Sequence, residues 1–277
     1  MGDAPRPLLG RGDVRRLLAA HGLHPTKRRG QNFVVDPNTV RRIVRDAGVA
    51  AGDLVVEVGP GLGSLTLALL EAGARVVAVE LDHGLAAALA DVVGPGVEVR
   101  TADAVAVDYD ELTGGEPAVM VANLPYNVAT PIVLTALRQR ALAGYHVMVQ
   151  REVGERWVAA VGDPAHGAVS VKIALLADAR IAGTVSRQAF WPVPNVDSVT
   201  VDLRPHDRVP ADAVARAIPL VDAGFAQRRK RLRNALAGPE ATAADVEALL
   251  ERADIPRTAR AEELDLAAWL RLADAVK

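Results

Sequence analysis

Five short apolar runs rich in β-branched residues, at 53–58, 75–80, 97–101, 118–122 and 145–150, are separated by stretches with helical spacing. Parallel strands need long crossover connections, helices supply them, and such crossovers are right-handed. The alternation therefore predicts an α/β fold, a mostly parallel Rossmann-like sheet with helices on both faces. Asp36 followed by Pro37 reads as a helix cap and first turn, opening a helix to about Ala47 with Val40, Ile43, Val44 and Ala47 on one face. Further helices are expected over 64–72 and 82–92, with another opening at Thr130-Pro131, and further strands over 169–177 and 198–203. Beyond Pro205 the texture changes to helical runs at 211–225, roughly 228–236, 243–253 and 262–276, broken at Gly238-Pro239 and Ile255-Pro256. The expected organisation is an α/β domain over 1–205, opening with a basic segment 1–31, and a small α-helical domain over 206–277.

Charge is distributed unevenly along the 277 residues, although the formal total is only -2. From 53 to 116 twelve acidic residues face Arg75 and Arg100, a net of -10, whereas 1–31 carries seven basic residues against Asp3 and Asp13, a net of +5. Arg228, Arg229, Lys230, Arg231 and Arg233 fall within six positions with no acidic residue among them. Such polarisation suits a protein that presents basic surfaces to a polyanion, and these five residues are candidate RNA contacts; the alternative is that they pin the helical domain to the acidic half. The chain has no cysteine, which excludes disulfides and thiolate metal sites, and its six histidines lack ligand spacing, so no metal is expected. No apolar stretch approaches the length of a membrane span and the start resembles no secretory leader, so a cytoplasmic location is expected.

The first chemical signal is Glu57-Val58-Gly59-Pro60-Gly61-Leu62-Gly63, where a buried strand ends in a glycine turn that leads into a helix. Glycines let backbone approach a ligand closely, and the helix N-terminus favours an anionic group. The spacing is G-x-G-x-G with Ser64 next, rather than the G-x-G-x-x-G of a dinucleotide site, which favours S-adenosylmethionine over a nicotinamide cofactor. Glu80 ends the next strand on the same rim of the sheet, where a carboxylate can accept hydrogen bonds from both ribose hydroxyls. Asp103, with Ala104 beside it, follows the third strand, where the carboxylate can accept from an adenine amino group.

The most specific signal is Asn123-Leu124-Pro125-Tyr126 after the fourth strand. An asparagine carboxamide oxygen and a backbone carbonyl held rigid by the next proline can accept both hydrogens of a planar amino group, and the tyrosine offers a face for a purine. With these four residues in place the sequence resembles the ribosomal RNA adenine dimethyltransferase family over nearly its whole length. Gly30-Gln31-Asn32-Phe33, Glu57 to Gly61, Glu80, Asp103 and Asn123 to Tyr126 come in family order. They are followed by Met148-Val149-Gln150 with Glu152 and Arg156, then Phe190-Trp191-Pro192-Val193-Pro194 with Val196-Asp197-Ser198, and finally Phe225 with Gln227-Arg228-Arg229-Lys230 and Leu232-Arg233-Asn234.

The resemblance implies that Asn32 and Val34 help hold the amino-acid end of S-adenosylmethionine, with Gly59 and Gly61 supporting the same region. It implies that Glu80 takes the ribose and Asp103 the adenine. Asn123 would orient the target amino group, and Tyr126 and Phe190 would hold the target base between aromatic faces. The product of the cofactor would be S-adenosylhomocysteine. Ile255-Pro256-Arg257 and Arg260-Ala261-Glu262-Glu263-Leu264 look like the branch that dimethylates two adjacent adenosines in a hairpin near the 3′ end of 16S rRNA, within an immature small subunit. The alternatives are the branch that modifies one adenosine of 23S rRNA and confers macrolide resistance, a DNA amino-methyltransferase, and a ribosome-assembly RNA binder without catalysis. A monomer is expected. Trp157 and Trp269 read as packing residues, and Tyr109 and Tyr145 as core or rim. His166, and Lys27-Arg28-Arg29, depart from the family pattern at positions that could alter RNA contacts.

Overall fold

A computed structural model describes residues 6–24, 32–238 and 241–276. Its contacts divide the chain into two compact units. The first comprises the described residues up to Gly154 together with Arg180–Pro205, and the second Glu155–Ala179 together with those from His206 onward.

The first unit carries the sheet. Strands β2 (Leu54–Val58), β3 (Arg75–Glu80), β4 (Val97–Thr101), β5 (Ala118–Asn123), β6 (Gly144–Gln150), β7 (Ala177–Val185) and β9 (Ser198–Pro205) lie in the order β4-β3-β2-β5-β6-β9-β7. From β4 to β6 all neighbours are parallel, while β9 runs antiparallel to β6. The chain leaves β2 towards β3 and β4, then returns to the other side of β2 as β5. Strand order reverses there, and in open parallel sheets ligands bind in the crevice beyond the carboxyl ends at such a point. Helices α2 (Pro37–Asp46), α3 (Ser64–Glu71), α4 (His83–Val93), α5 (Tyr109–Thr113) and α6 (Ala129–Gln139) make the connections. Asp36 caps α2 by accepting from Asn38 N, and Asp82 caps α4 by accepting from Gly84 N and Leu85 N. Burial on both faces explains why β2 is apolar throughout apart from Glu57: all five of its residues are buried. A second, two-stranded sheet pairs β1 (Phe33–Val34) antiparallel with β8 (Phe190–Trp191). Helix α1 (Arg11–Ala20), which the sequence reading did not assign, buries Val14 and Leu18 in a cluster with Phe33, Leu62 and Leu85.

In the second unit, α9 (Ala211–Ala226) packs against α12 (Leu266–Ala275), with α10 (Leu232–Ala235) and α11 (Ala243–Arg252) alongside. Gly224 permits the close approach, since a Cβ there would stand 2.9 Å from the Trp269 ring. Trp269 is fully buried and stacks on Phe225, whose ring meets that of His166 edge-on.

Four expectations from the sequence need correction. Residues 169–177 do not form one strand; they give helix α8 (Ala168–Ala174), and β7 starts only at Ala177. The alternating Val169, Val171 and Ile173 mimic a strand, but Gly167 N donates to Ser170 Oγ, which itself donates to the Arg156 carbonyl, and this closes a helical turn. The helix expected over 228–236 shrinks to Leu232–Ala235, preceded by a turn in which Lys230 N donates to the Gln227 carbonyl. The last helix starts at Leu266, capped by Asp265, and not at Glu262. The segment 155–179, assigned by sequence to the α/β domain, groups with the C-terminal helices: Lys172 ion-pairs with Asp222 of α9, and His206 N donates to the Leu176 carbonyl at 3.1 Å.

Candidate active site

A cavity of about 540 Å³ opens where the strand order reverses, entirely within the first unit. That volume suits a small-molecule ligand. Its floor is the turn after β2. Gly59 and Gly61 are both left-handed, with φ of +68° and +58°. A Cβ at Gly59 would stand 3.0 Å from the Pro125 ring, and one at Gly61 would stand 3.0 Å from the Phe33 ring. A larger residue would strain the turn at either position, crowding Pro125 from position 59 and Phe33 from position 61.

Two carboxylates shape this end. Glu57, wholly buried, accepts a 2.6 Å hydrogen bond from Thr66 Oγ1 on α3. Burial pushes its carboxyl up to about 8; the Thr66 hydrogen bond opposes that rise and the negative Glu80 adds to it. Glu80, also buried, accepts from Gly61 N at 3.3 Å and from Asp82 N at 3.0 Å, so it ties the glycine turn to the start of α4. Asp103 is exposed at the rim and accepts from Val105 N. The neighbouring Ala104 carbonyl accepts from the buried Tyr109 hydroxyl at 2.9 Å. Tyr109, read from the sequence as core or rim, is fully buried and steadies a wall of the cavity.

The other end is built from β5. Asn123 Nδ2 donates to the Asn32 backbone carbonyl at 3.3 Å, which turns the amide so that Oδ1 is buried at the cavity with no hydrogen-bond partner among the described residues. Leu124 N donates to the Met148 carbonyl, and the Leu124 carbonyl leads directly into Pro125. Tyr126 is half-buried, its hydroxyl 2.7 Å from Ser198 Oγ. Burial raises the phenol's pKa against a smaller lowering by Ser198, so it remains protonated at neutral pH.

Asn32, Val34, Gly59, Gly61, Glu80, Asp103, Ala104, Asn123, Leu124, Pro125 and Tyr126 all line this cavity. Phe190 does not: it is fully buried in the core with Val34, its register partner, and Met148, leaving no exposed face for a base. Leu81 is a wall residue that sequence reasoning missed. It is 67% exposed, directly after Glu80, and an exposed leucine next to a rim carboxylate was the available signal.

The fit to S-adenosylmethionine is chemical. Glu80 and Asp103 offer carboxylate acceptors of the kind that hydroxyl and amino donors need, Val58, Leu81 and Leu85 give apolar walls, and the glycine turn brings backbone within reach. The orphaned Asn123 Oδ1 calls for a hydrogen-bond donor that the described residues do not supply.

Comparison with known proteins agrees with this geometry. Residues 23–277 match the family described as ribosomal RNA adenine dimethylase. The chain belongs to that family. Its sequence is 52% identical to the ribosomal RNA small subunit methyltransferase A of Leifsonia xyli over 273 residues, covering 96% of this chain and 98% of the relative. It is 51% identical to the protein of the same name from Thermobifida fusca, covering 98% and 97%. Among solved structures, a dimethyladenosine transferase from Plasmodium falciparum shares the fold with a TM-score of 0.70 at 24% identity, covering 86% of this chain and 94% of that one. The 23S rRNA methyltransferase ErmE gives 0.62 at 28% identity, covering 88% and 98%. The protein is thus an S-adenosylmethionine-dependent rRNA adenine dimethyltransferase. No helix among the described residues is long and apolar enough to cross a membrane.

Proposed function

We propose that this dimethyltransferase acts on the small subunit's RNA, methylating the N6 amino groups of two adjacent adenosines in a hairpin near the 3′ end of 16S rRNA during subunit maturation, as a monomer in the cytoplasm. The unpartnered Asn123 Oδ1 carries the catalytic half of this reading. With Nδ2 engaged by Asn32, Oδ1 can only accept, and an exocyclic amino group brings the donor it lacks. A second hydrogen goes to the Leu124 carbonyl, and the purine lies against Tyr126. Accepting both hydrogens draws the nitrogen lone pair out of conjugation with the ring and towards the methyl donor. S-adenosylmethionine supplies an already activated sulfonium methyl, so the protein's work is alignment and exclusion of water, and alignment alone can contribute about 7–11 kcal/mol. No strong base is required, because the amino nitrogen becomes acidic once the new bond has formed. The target must leave its stack to reach the cavity, which favours loops and single strands.

Glu80 and Asp103 bind the ribose and adenine, while Asn32, Val34, Gly59, Gly61 and Ala104 enclose the cofactor. Phe190 is assigned a packing role beneath the site rather than a stacking one. The small subunit is favoured over the large because relatives named for it are about half identical over nearly full length, against 28% for the 23S enzyme. RNA is held by the helical unit, through Arg229, Lys230 and Arg231, whose exposed side chains have no ion-pair partner among the described residues. Labelled cofactor incubated with immature small or large subunits, followed by nuclease digestion and mass spectrometry, tests the assignment. Label on two adjacent small-subunit adenosines is expected, and label confined to large-subunit RNA would overturn it.

A further inference from the structure

Ser198 opens β9 with no exposed surface, and its Oγ lies against the Tyr126 hydroxyl at 2.7 Å. Seventy-two positions separate the two residues in sequence. Adjacent strand ends bring them together: Ser198 pairs with Gln150 at the end of β6, and β6 lies beside β5, from which the Asn123–Tyr126 segment springs. The backbone that carries Ser198 is itself fixed from two sides. Asp197 accepts from Arg187 N through Oδ1 at 2.9 Å, and its carbonyl accepts from Arg151 N at 3.0 Å. Ser198 does not line the cavity, whereas Tyr126 does.

We propose that Ser198 is a positioning residue for methyl transfer: by holding the Tyr126 hydroxyl it fixes the ring against which the target adenine lies. A tyrosine ring without that tether keeps its apolar contacts but gains freedom to tilt, and a small misplacement of the reacting nitrogen slows transfer steeply. Ser198 touches neither the base nor the cofactor; its effect passes entirely through Tyr126. The proposal rests on the reading that Tyr126 carries the target base.

The test is a double-mutant cycle. Ser198→Ala, Tyr126→Phe and the double variant are assayed on immature small subunits, with turnover expressed per cofactor site titrated by calorimetry, so that unfolded protein does not count. Each single variant is expected to lower kcat about three- to tenfold, the worth of one hydrogen bond. The double variant is expected to be no slower than the slower single, with the cofactor Kd unchanged throughout. Losses that multiply in the double variant, or a Ser198→Ala enzyme with the parent kcat, would overturn the proposal. Tyr126→Ala separates this from the reading beneath it. If that variant turns over at the parent rate, Tyr126 does not carry the base; if it is crippled while Ser198→Ala is indifferent, only the positioning role fails.

Discussion

The two ends of the cavity are finished to different degrees. At the cofactor end the buried polar groups already have partners: Glu57 holds the Thr66 hydroxyl, and Glu80 holds the amides of Gly61 and Asp82. At the target end Asn123 Oδ1 is buried and has none. A buried polar atom without a partner costs roughly 1–3 kcal/mol. On the proposed mechanism the cofactor end therefore stands formed before its ligand arrives, and the reacting amino group is what completes the target end. Binding energy released there is available to the transition state rather than to folding.

Asn123→Ala should break this contrast most sharply. Removing an acceptor used only by the reacting group should cost about 10²–10³ in kcat, the range seen when one preorganised transition-state hydrogen bond is removed. Cofactor affinity should stay at the parent value, and the melting temperature should change little: the variant loses a buried oxygen that had no partner, and in exchange the Asn32 carbonyl loses one long hydrogen bond of 3.3 Å. Methyl incorporation measured beside calorimetric titration checks both, and near-parent turnover would remove Asn123 from the mechanism.

Glu80→Ala should do the reverse. Loss of two charge-assisted hydrogen bonds to the ribose should raise the S-adenosylmethionine Kd about tenfold or more. Because Glu80 also accepts from the amides of Gly61 and Asp82, the melting temperature should fall further than that of the Asn123 variant, which gives up a single long hydrogen bond. Unchanged affinity would show that the carboxylate serves the turn alone. A smaller effect is expected at Glu57, whose buried carboxyl titrates near 8 in place of 4.5. A raised acid pKa means that the folded chain holds its proton longer than the unfolded one. Stability from this group is thus greatest below the unfolded value, is lost as pH rises towards 8, and levels off above that. Glu57→Gln should flatten this fall, so that at pH 8.5 the variant melts on the order of a few degrees above the parent relative to their difference at pH 5.5. Parallel melting curves across that range would show that Glu57 does not titrate there.

Which parts of this were legible in the sequence follows from the range of the interactions. Glu80, Asp103 and Asn123 each lie at a strand end, and the strand–helix alternation alone puts such ends on one rim. The Asn123 amide's tether to the Asn32 carbonyl spans 91 positions, and the Tyr126 hydrogen bond with Ser198 spans 72; no spacing rule reveals either. Phe190 has the residue type of a stacking platform, but its pairing with Val34 turns it into core. The segment 169–177 misled because period-two β-branching and a short capped helix share one pattern, and a single serine at position 170 decides between them.

The smallest predicted effect carries the same contrast to the basic run of the helical unit. Arg228 is ion-paired with Glu262 at 2.6 Å, and Arg233 is ion-paired with Glu247; both acidic partners belong to the helical unit itself. The idea that the run pins this unit to the acidic half of the chain gains nothing from those pairs. Arg229, Lys230 and Arg231 lack such partners among the described residues and are free to neutralise phosphates. Replacing Arg229 and Lys230 by alanine should weaken RNA binding and reduce the slope of log affinity against log salt by about 0.7 for each single-strand phosphate no longer neutralised. The melting temperature and the cofactor Kd should be unaffected. Arg228→Ala with Arg233→Ala should behave differently: two ion pairs disappear, so the melting temperature should fall slightly, as partly exposed pairs contribute little, and the salt slope should barely change. Filter binding across a salt series, with thermal melts of the same preparations, separates the pairs. Equal salt slopes for both double variants would mean that partner satisfaction in the folded protein does not identify the residues that meet RNA.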